Sequence, residues 1–225
     1  MVTVVGAVSR TQAQQIADAL TAGLPKAGTA ADLPEVPARP GGRIERIPHH
    51  AEQSHIMLGV PAVTYGDADY FPLYVGNFVL GGGGFVSRLY DEVREKRGLA
   101  YSAYSYIAPL ARSGPLIMGL QTQKKQTGEA LGTVRRVVDE FVAKGPTARE
   151  LEAAKKSITG GFPLRIDSNS DIVNEVALIG FYGLPLDWLE RFVPNVRAVT
   201  AGQIREVFSR HVGRDRLSTV IVGAP

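Results

Sequence analysis

The chain offers few residues able to do chemistry, and most of them fail on spacing. There is no cysteine, so disulfides, thiolate nucleophiles and thiolate zinc sites are excluded. Four histidines are present: His49, His50, His55 and His211. The segment HHAEQSH sets Glu52 among three of them, which raises the question of a metal. Helical zinc sites place their histidines at i and i+4 on one face, as His-Glu-x-x-His or its inverse His-x-x-Glu-His. Neither spacing occurs here, and in an extended segment His49 and His50 would point to opposite sides. A solvated lead-in to a strand is the simpler reading. No Gly-x-Ser-x-Gly elbow marks a serine nucleophile. Carboxylate pairs such as Glu150 and Glu152 sit in charged helical stretches and read as solvated faces.

Two features remain. The run Gly81–Gly84 precedes a helix, as phosphate loops do. No Lys-Ser/Thr follows it, and position 87 is Ser where a dinucleotide fingerprint needs Gly. A helix–helix connection is the first reading; a loop that lets a peptide backbone approach Gly82, Gly83 and Gly84 is the second. The other feature is DEVREKRGLAYSAY, residues 91–104. It sets a cation, Arg94, and a phenol, Tyr101, on either side of a helix-to-strand corner. Taken alone, both residue types suit their positions structurally. A cation is favoured in the last turn of a helix, and aromatic residues are common in strands.

The elements that would position these residues follow from period and punctuation. VTVVGA near the start is apolar and β-branched, as a buried strand would be. A helix from about Thr11 carries Ile16, Ala17, Leu20 and Leu24 on one face. Residues 26–43 are rich in Pro, Gly and Ala and read as a linker. RIERI and HIMLGVPAV read as strand. Asp67 and Asp69 are set to cap a helix with Pro72 in its first turn. A second helix over 87–97 ends at Gly98. Strands over 99–107 and 116–122, joined by Ser113-Gly114-Pro115, form an antiparallel pair. Helices follow over 127–144, from the capping box at Thr147, from Ser170 or Asp171, from Asp187 to Pro194, and from a second capping box at Thr200. LSTVIVGAP closes as a strand, and its TVIVGA echoes TVVGA at residues 3–7. That echo suggests two related domains in a longer parent.

Of 225 residues, 44% are hydrophobic and 21% charged, which suits a globular protein with a sizeable core. No apolar run is long enough to cross a membrane, and the first residues lack a signal-peptide pattern. The net charge of +3 is dispersed among acids, which argues against a nucleic-acid partner. Both cytoplasm and periplasm stay open.

The stretch LGGGGFVSRLYDEVREKRGLAYSAY resembles the second-half motif of the pitrilysin/insulinase family of zinc peptidases, which includes the mitochondrial processing peptidases. The order around it agrees, from HIMLGVPA before it to ELEAAKKSI after it. The resemblance implies an α+β fold, mainly antiparallel sheet packed against several helices, forming one half of a two-domain clamshell of the processing-peptidase type. It implies that residues 1–25 are the closing strand and helix of a preceding catalytic-type domain, 26–43 a linker, and 44–225 the non-catalytic domain. The family's catalytic domain carries the zinc motif, and this sequence has none. The resemblance therefore implies zinc in a catalytic partner domain or subunit, no metal or other cofactor here, and a peptide substrate. It gives Arg94 and Tyr101 the role of stabilising the substrate carbonyl in the transition state, where water attack makes that oxygen negative. The competing expectation is a non-enzymatic structural or peptide-binding homologue, such as an assembly core subunit. Homodimer and heterodimer are both compatible with either.

Overall fold

The computed structural model of the chain describes residues 1–25, 28, 32–37 and 42–223. Helix α1 (Arg10–Thr21) opens it, started by a capping box in which Ser9 and Gln12 satisfy each other's backbone N–H groups. None of its residues is buried, so Ile16 and Leu20 face outward. The expected strand over VTVVGA is not seen; residues 1–5 pair with no strand among the described residues. Part of the expected linker, residues 26, 27, 29–31 and 38–41, lies outside the described residues. Its segment 32–37 is irregular and is held by Arg112, which donates to the Leu33 carbonyl at 2.8 Å and pairs with Glu35 at 2.7 Å.

The core of the fold is one five-stranded sheet and the helices on one of its faces. Strands β1 (Ile44–Ile47), β2 (Gln53–Val63), β3 (Ala100–Ile107), β4 (Gly114–Gln123) and β5 (Ser218–Val222) lie in the order β1-β5-β2-β4-β3. Every pairing is antiparallel except β1 with β5. The last strand thus enters between the first two, so the sheet closes only when the whole chain is in place. Alternation along β2 buries Ile56, Leu58 and Val60 and exposes His55 and Met57, as a sheet covered on one side requires. The uncovered face carries Tyr104 and Tyr106 on β3, their rings stacked at 6.2 Å. Tyr104 lies over Gly119 of β4, where a Cβ would come within 2.6 Å of the phenol.

The covered face holds α2 (Tyr70–Asn77), α4 (Thr127–Lys144) and α8 (Ala201–His211) around Phe141, Phe208, Leu73 and Val138. Helix α3 (Arg88–Tyr90), α5 (Ala148–Gly161), α6 (Asn169–Tyr182) and α7 (Trp188–Ala198) complete the layer. The capping boxes at Thr147 and Thr200 are both formed. Ser168, rather than Ser170 or Asp171, caps α6. Asp69 stands at the start of α2 without capping it. Its carboxylate is taken instead by Arg210 at 2.9 Å and by His211 at 2.7 Å. Helix α7 continues through Pro194 where a stop was expected. Pro194 is exposed, so the Glu190 carbonyl it leaves without an N–H faces water, and buried Phe192 and Val196 hold the helix to the core. This α+β architecture is the one expected.

Gly76 and Gly132 give opposite tests of this packing. At Gly76 of α2 a Cβ would overlap the Phe208 ring and sit 2.8 Å from Ile204 Cγ2. Gly76→Ala is therefore expected to cost about 1–3 kcal/mol. At Gly132 of α4 a Cβ meets nothing, so Gly132→Ala should stabilise by about 0.5–1 kcal/mol. Urea melts of both variants check the pair; equal effects would contradict the packing described.

Candidate functional site

The corner between α3 and β3 is built by one glycine. The α3 helix widens into a π-helical turn over Asp91–Glu95, a form common at functional sites. It then stops at Gly98, whose φ of +60° suits a residue without a Cβ. The Gly98 N–H donates to the Arg94 carbonyl at 2.8 Å, and the Leu99 N–H to the Val93 carbonyl at 2.9 Å. The chain turns directly into β3, which brings Tyr101 back over the helix it has just left.

The result is a stack. The guanidinium carbon of Arg94 lies 4.8 Å from the ring centre of Tyr101 and 4.8 Å from that of Tyr90, with Phe85 at 6.0 Å. The two residues singled out by sequence are thus brought together. Tyr101 is 85% exposed, so its hydroxyl is open to an incoming molecule. The Arg94 side chain keeps 31% of its surface and has a carboxylate only at 3.8 Å, on Glu95. Its charge therefore remains available. Tyr90 and Phe85 were missed by sequence reasoning. The spacing of Tyr90 four residues before Arg94 was the signal that could have found the first. Phe85 and Val86 stand 77% and 78% exposed beside the stack.

The glycine run has a packing reason of its own. Gly81 and Gly82 lie in a π-helical turn, Phe78–Gly82, laid against β3. A Cβ on Gly81 would meet the Ser105 N–H nitrogen at 2.6 Å, and one on Gly82 the Asn77 amide at 2.6 Å. On Gly83 it would meet the Phe78 carbonyl at 2.7 Å. Gly84 turns the chain at φ +60° and meets nothing. The backbone that approaches Gly81 is this chain's own.

Two ion clusters hold the corner. Glu92 accepts from Lys96 at 2.7 Å, Arg97 at 2.6 Å and Arg136 of α4 at 2.8 Å. Hydrogen bonds from Lys96 and then Arg136 hold its carboxyl down at about 2. Arg88 forks onto Glu150 at 2.6 and 2.7 Å, donates to the Gly145 carbonyl at 3.0 Å and lies over Phe141. Burial alone would raise the Glu150 carboxyl, but Arg88 and Thr147 hold it at about 2. Glu150 is therefore a part-buried anchor rather than the solvated acid its neighbours suggested. Together the clusters pin the helix that carries Arg94 to α4 and α5.

Among the described residues no group of three His, Cys, Asp or Glu could hold a metal. His49 accepts from the Ala51 N–H at 3.1 Å, and His211 is paired with Asp69. The residues present do not fit zinc. No described helix is long and apolar enough to cross a membrane.

Both clamped carboxyls titrate below their ordinary value of 4.5. Their contribution to stability is complete above about pH 4.5 and is lost as pH falls from there toward 2. Glu92→Gln should therefore destabilise at pH 7, by on the order of 1 kcal/mol. The difference from the parent should narrow below pH 4.5 and close near pH 2. Denaturant melts across that range check it; a difference independent of pH would contradict the ionic role.

Comparison with known proteins places the chain in a family. Residues 1–158 match the family described as the peptidase M16 inactive domain. An uncharacterized zinc protease of Streptomyces coelicolor is 31% identical over 185 residues, 82% of this chain and 40% of the relative. A protein of Helicobacter pylori named as a non-peptidase homolog is 34% identical over 177 residues, 76% of this chain and 40% of the relative. The chain spans about two-fifths of the length of these curated relatives. A crystal structure of a peptidase M16 inactive domain from Pseudomonas fluorescens superposes with a TM-score of 0.89 and 37% identity. It covers 97% of this chain and 52% of that one. The match over residues 1–158, with these relatives and the shared fold, makes this chain a member of the peptidase M16 inactive-domain family.

Proposed function

We propose that this chain is the non-catalytic half of a zinc metalloendopeptidase, and that Arg94 and Tyr101 bind the carbonyl region of the peptide being cut. The metal belongs to the catalytic partner domain or subunit in this reading. The observation that carries it is the Arg94–Tyr101 stack: an exposed phenol against a guanidinium whose nearest carboxylate is 3.8 Å away. A guanidinium stays charged at any working pH, and a phenol can donate a hydrogen bond. When a peptide carbonyl is attacked, its oxygen becomes negative, and two fixed donors aimed there lower the barrier. Supplying them from a second domain ties catalysis to closure of the two halves.

The rest of the molecule is consistent with a half-structure. The uncovered sheet face with Met57, Tyr104 and Tyr106 would wall a peptide chamber, and Gly82, Gly83, Gly84, Phe85 and Val86 would form its rim beside Arg94. Residues 1–25, with an unpaired apolar segment and a helix that buries nothing, would complete the sheet and core of a preceding domain; 26–43 would link it to a domain over 44–225. A second reading, a non-enzymatic homologue, is favoured by the name of the Helicobacter relative. Retention of both side chains in an open stack supports the peptidase reading over it.

The test is hydrolysis of a peptide by the complex of this chain with its catalytic partner. Arg94→Ala and Tyr101→Phe should each lower kcat, by about 100-fold for the arginine, without lowering the melting temperature. Unchanged hydrolysis in the double variant would overturn the role.

A further inference from the structure

At the far end of β3 from the stack, about 20 Å away by strand rise, the helical layer encloses a second chemical feature. A cavity of about 140 Å³ lies between α2, the turn after α5, α6, α7 and the end of β3. That is room for a single six-membered ring with a small substituent. Its walls include the rings of Tyr65, Tyr70, Tyr74 and Trp188, with Arg165 and Glu175 beside them. The rings are mutually braced: Tyr65–Tyr70 at 5.7 Å, Tyr70–Tyr74 at 5.9 Å and Tyr70–Trp188 at 5.6 Å. Such bracing fixes flat apolar walls, suited to stacking an aromatic guest.

The polar groups include one cationic donor, Arg165, and tyrosine hydroxyls that can donate as well as accept. Arg165 gives one N–H to Glu175 at 2.9 Å and one to the Tyr74 hydroxyl at 3.3 Å. A guanidinium has five, so donors remain uncommitted among the described contacts. Glu175 is the one carboxylate in the lining, and its Oε1 accepts from Arg165. Burial raises the hydroxyls of Tyr70 and Tyr65 above their ordinary value, so both stay protonated. A ligand with an acceptor oxygen at its edge would meet unused N–H and O–H groups. The Arg165 side chain, 45% exposed, stands at the opening. The void is thus unlike an apolar packing defect, which has no convergent donors.

We infer that this cavity is a binding site for a single-ring aromatic molecule carrying a carboxylate or carboxamide oxygen, held by stacking between the tyrosine and tryptophan rings and by Arg165. The site is separate from the Arg94–Tyr101 corner and acts on a different ligand.

Trp188 is the only tryptophan in the chain, so its emission reports on this cavity alone. Titration of the full chain with benzamide or benzoate at millimolar concentration should change that emission saturably. Toluene, a ring with no acceptor, should bind at least about tenfold more weakly, the value of one hydrogen bond to a charged group. Arg165→Gln should weaken benzamide about tenfold, and Leu178→Phe, which fills the cavity, should abolish the response. Thermal melts establish that both variants are folded, and benzamide should raise the melting temperature of the parent more than that of Arg165→Gln and leave that of Leu178→Phe unchanged. No saturable change with either acceptor ligand would overturn the site. An equal response to toluene, or an undiminished one in folded Leu178→Phe, would overturn it as well.

Discussion

The stacking of the Arg94 guanidinium on the rings of Tyr90 and Tyr101 is the contact on which the functional corner depends. A guanidinium on a helix end would ordinarily swing through water and pair with any acid nearby. Here two rings, each 4.8 Å from its central carbon, hold it against the corner. The rings do so without neutralising it, because a ring face attracts a cation but is not an ion. The arrangement depends on Gly98. With φ at +60°, it lets the helix stop and the strand start within a few residues, so Tyr101 returns over Arg94. A residue with a Cβ would strain that turn.

Rigid support is the second requirement. Glu92 and Glu150 each engage basic side chains from elsewhere in the fold, Arg136 of α4 and Arg88 of α3. Exposed ion pairs are weak one at a time. These are shared carboxylates, with three cations on Glu92 and a forked arginine plus a capping box on Glu150. Their contribution lies less in overall stability than in fixing one helix relative to its neighbours. The glycines at 81 and 82 add to this by letting the preceding turn lie directly on β3.

Much of the fold was legible from local chemistry. The helix over 127–144, the capping boxes at Thr147 and Thr200, the Gly98 stop and the 100–123 hairpin all follow from short-range signals, and each is present. What escaped was decided by distant residues. Asp69 reads as a cap, yet Arg210 and His211, about 140 residues later, take its carboxylate. Pro194 reads as a stop, yet the burial of Phe192 and Val196 outweighs one missing hydrogen bond on the wet face. VTVVGA reads as a strand, and among the described residues no strand pairs with it. At the site, Arg94 and Tyr101 could be singled out only through a resemblance, since each suits its position for ordinary reasons. That they meet is a property of the corner, which periodicity does not encode.

The central claim concerns where two donors point when a peptide is present. The most direct measurement is a structure of this chain in complex with its catalytic partner and an uncleaved peptide. The account predicts the Arg94 guanidinium and the Tyr101 hydroxyl at about 3 Å from a carbonyl oxygen of the bound peptide, with the uncovered sheet face turned toward it. A bound peptide lying elsewhere, with residues 94 and 101 facing solvent or turned away from the partner, would contradict it.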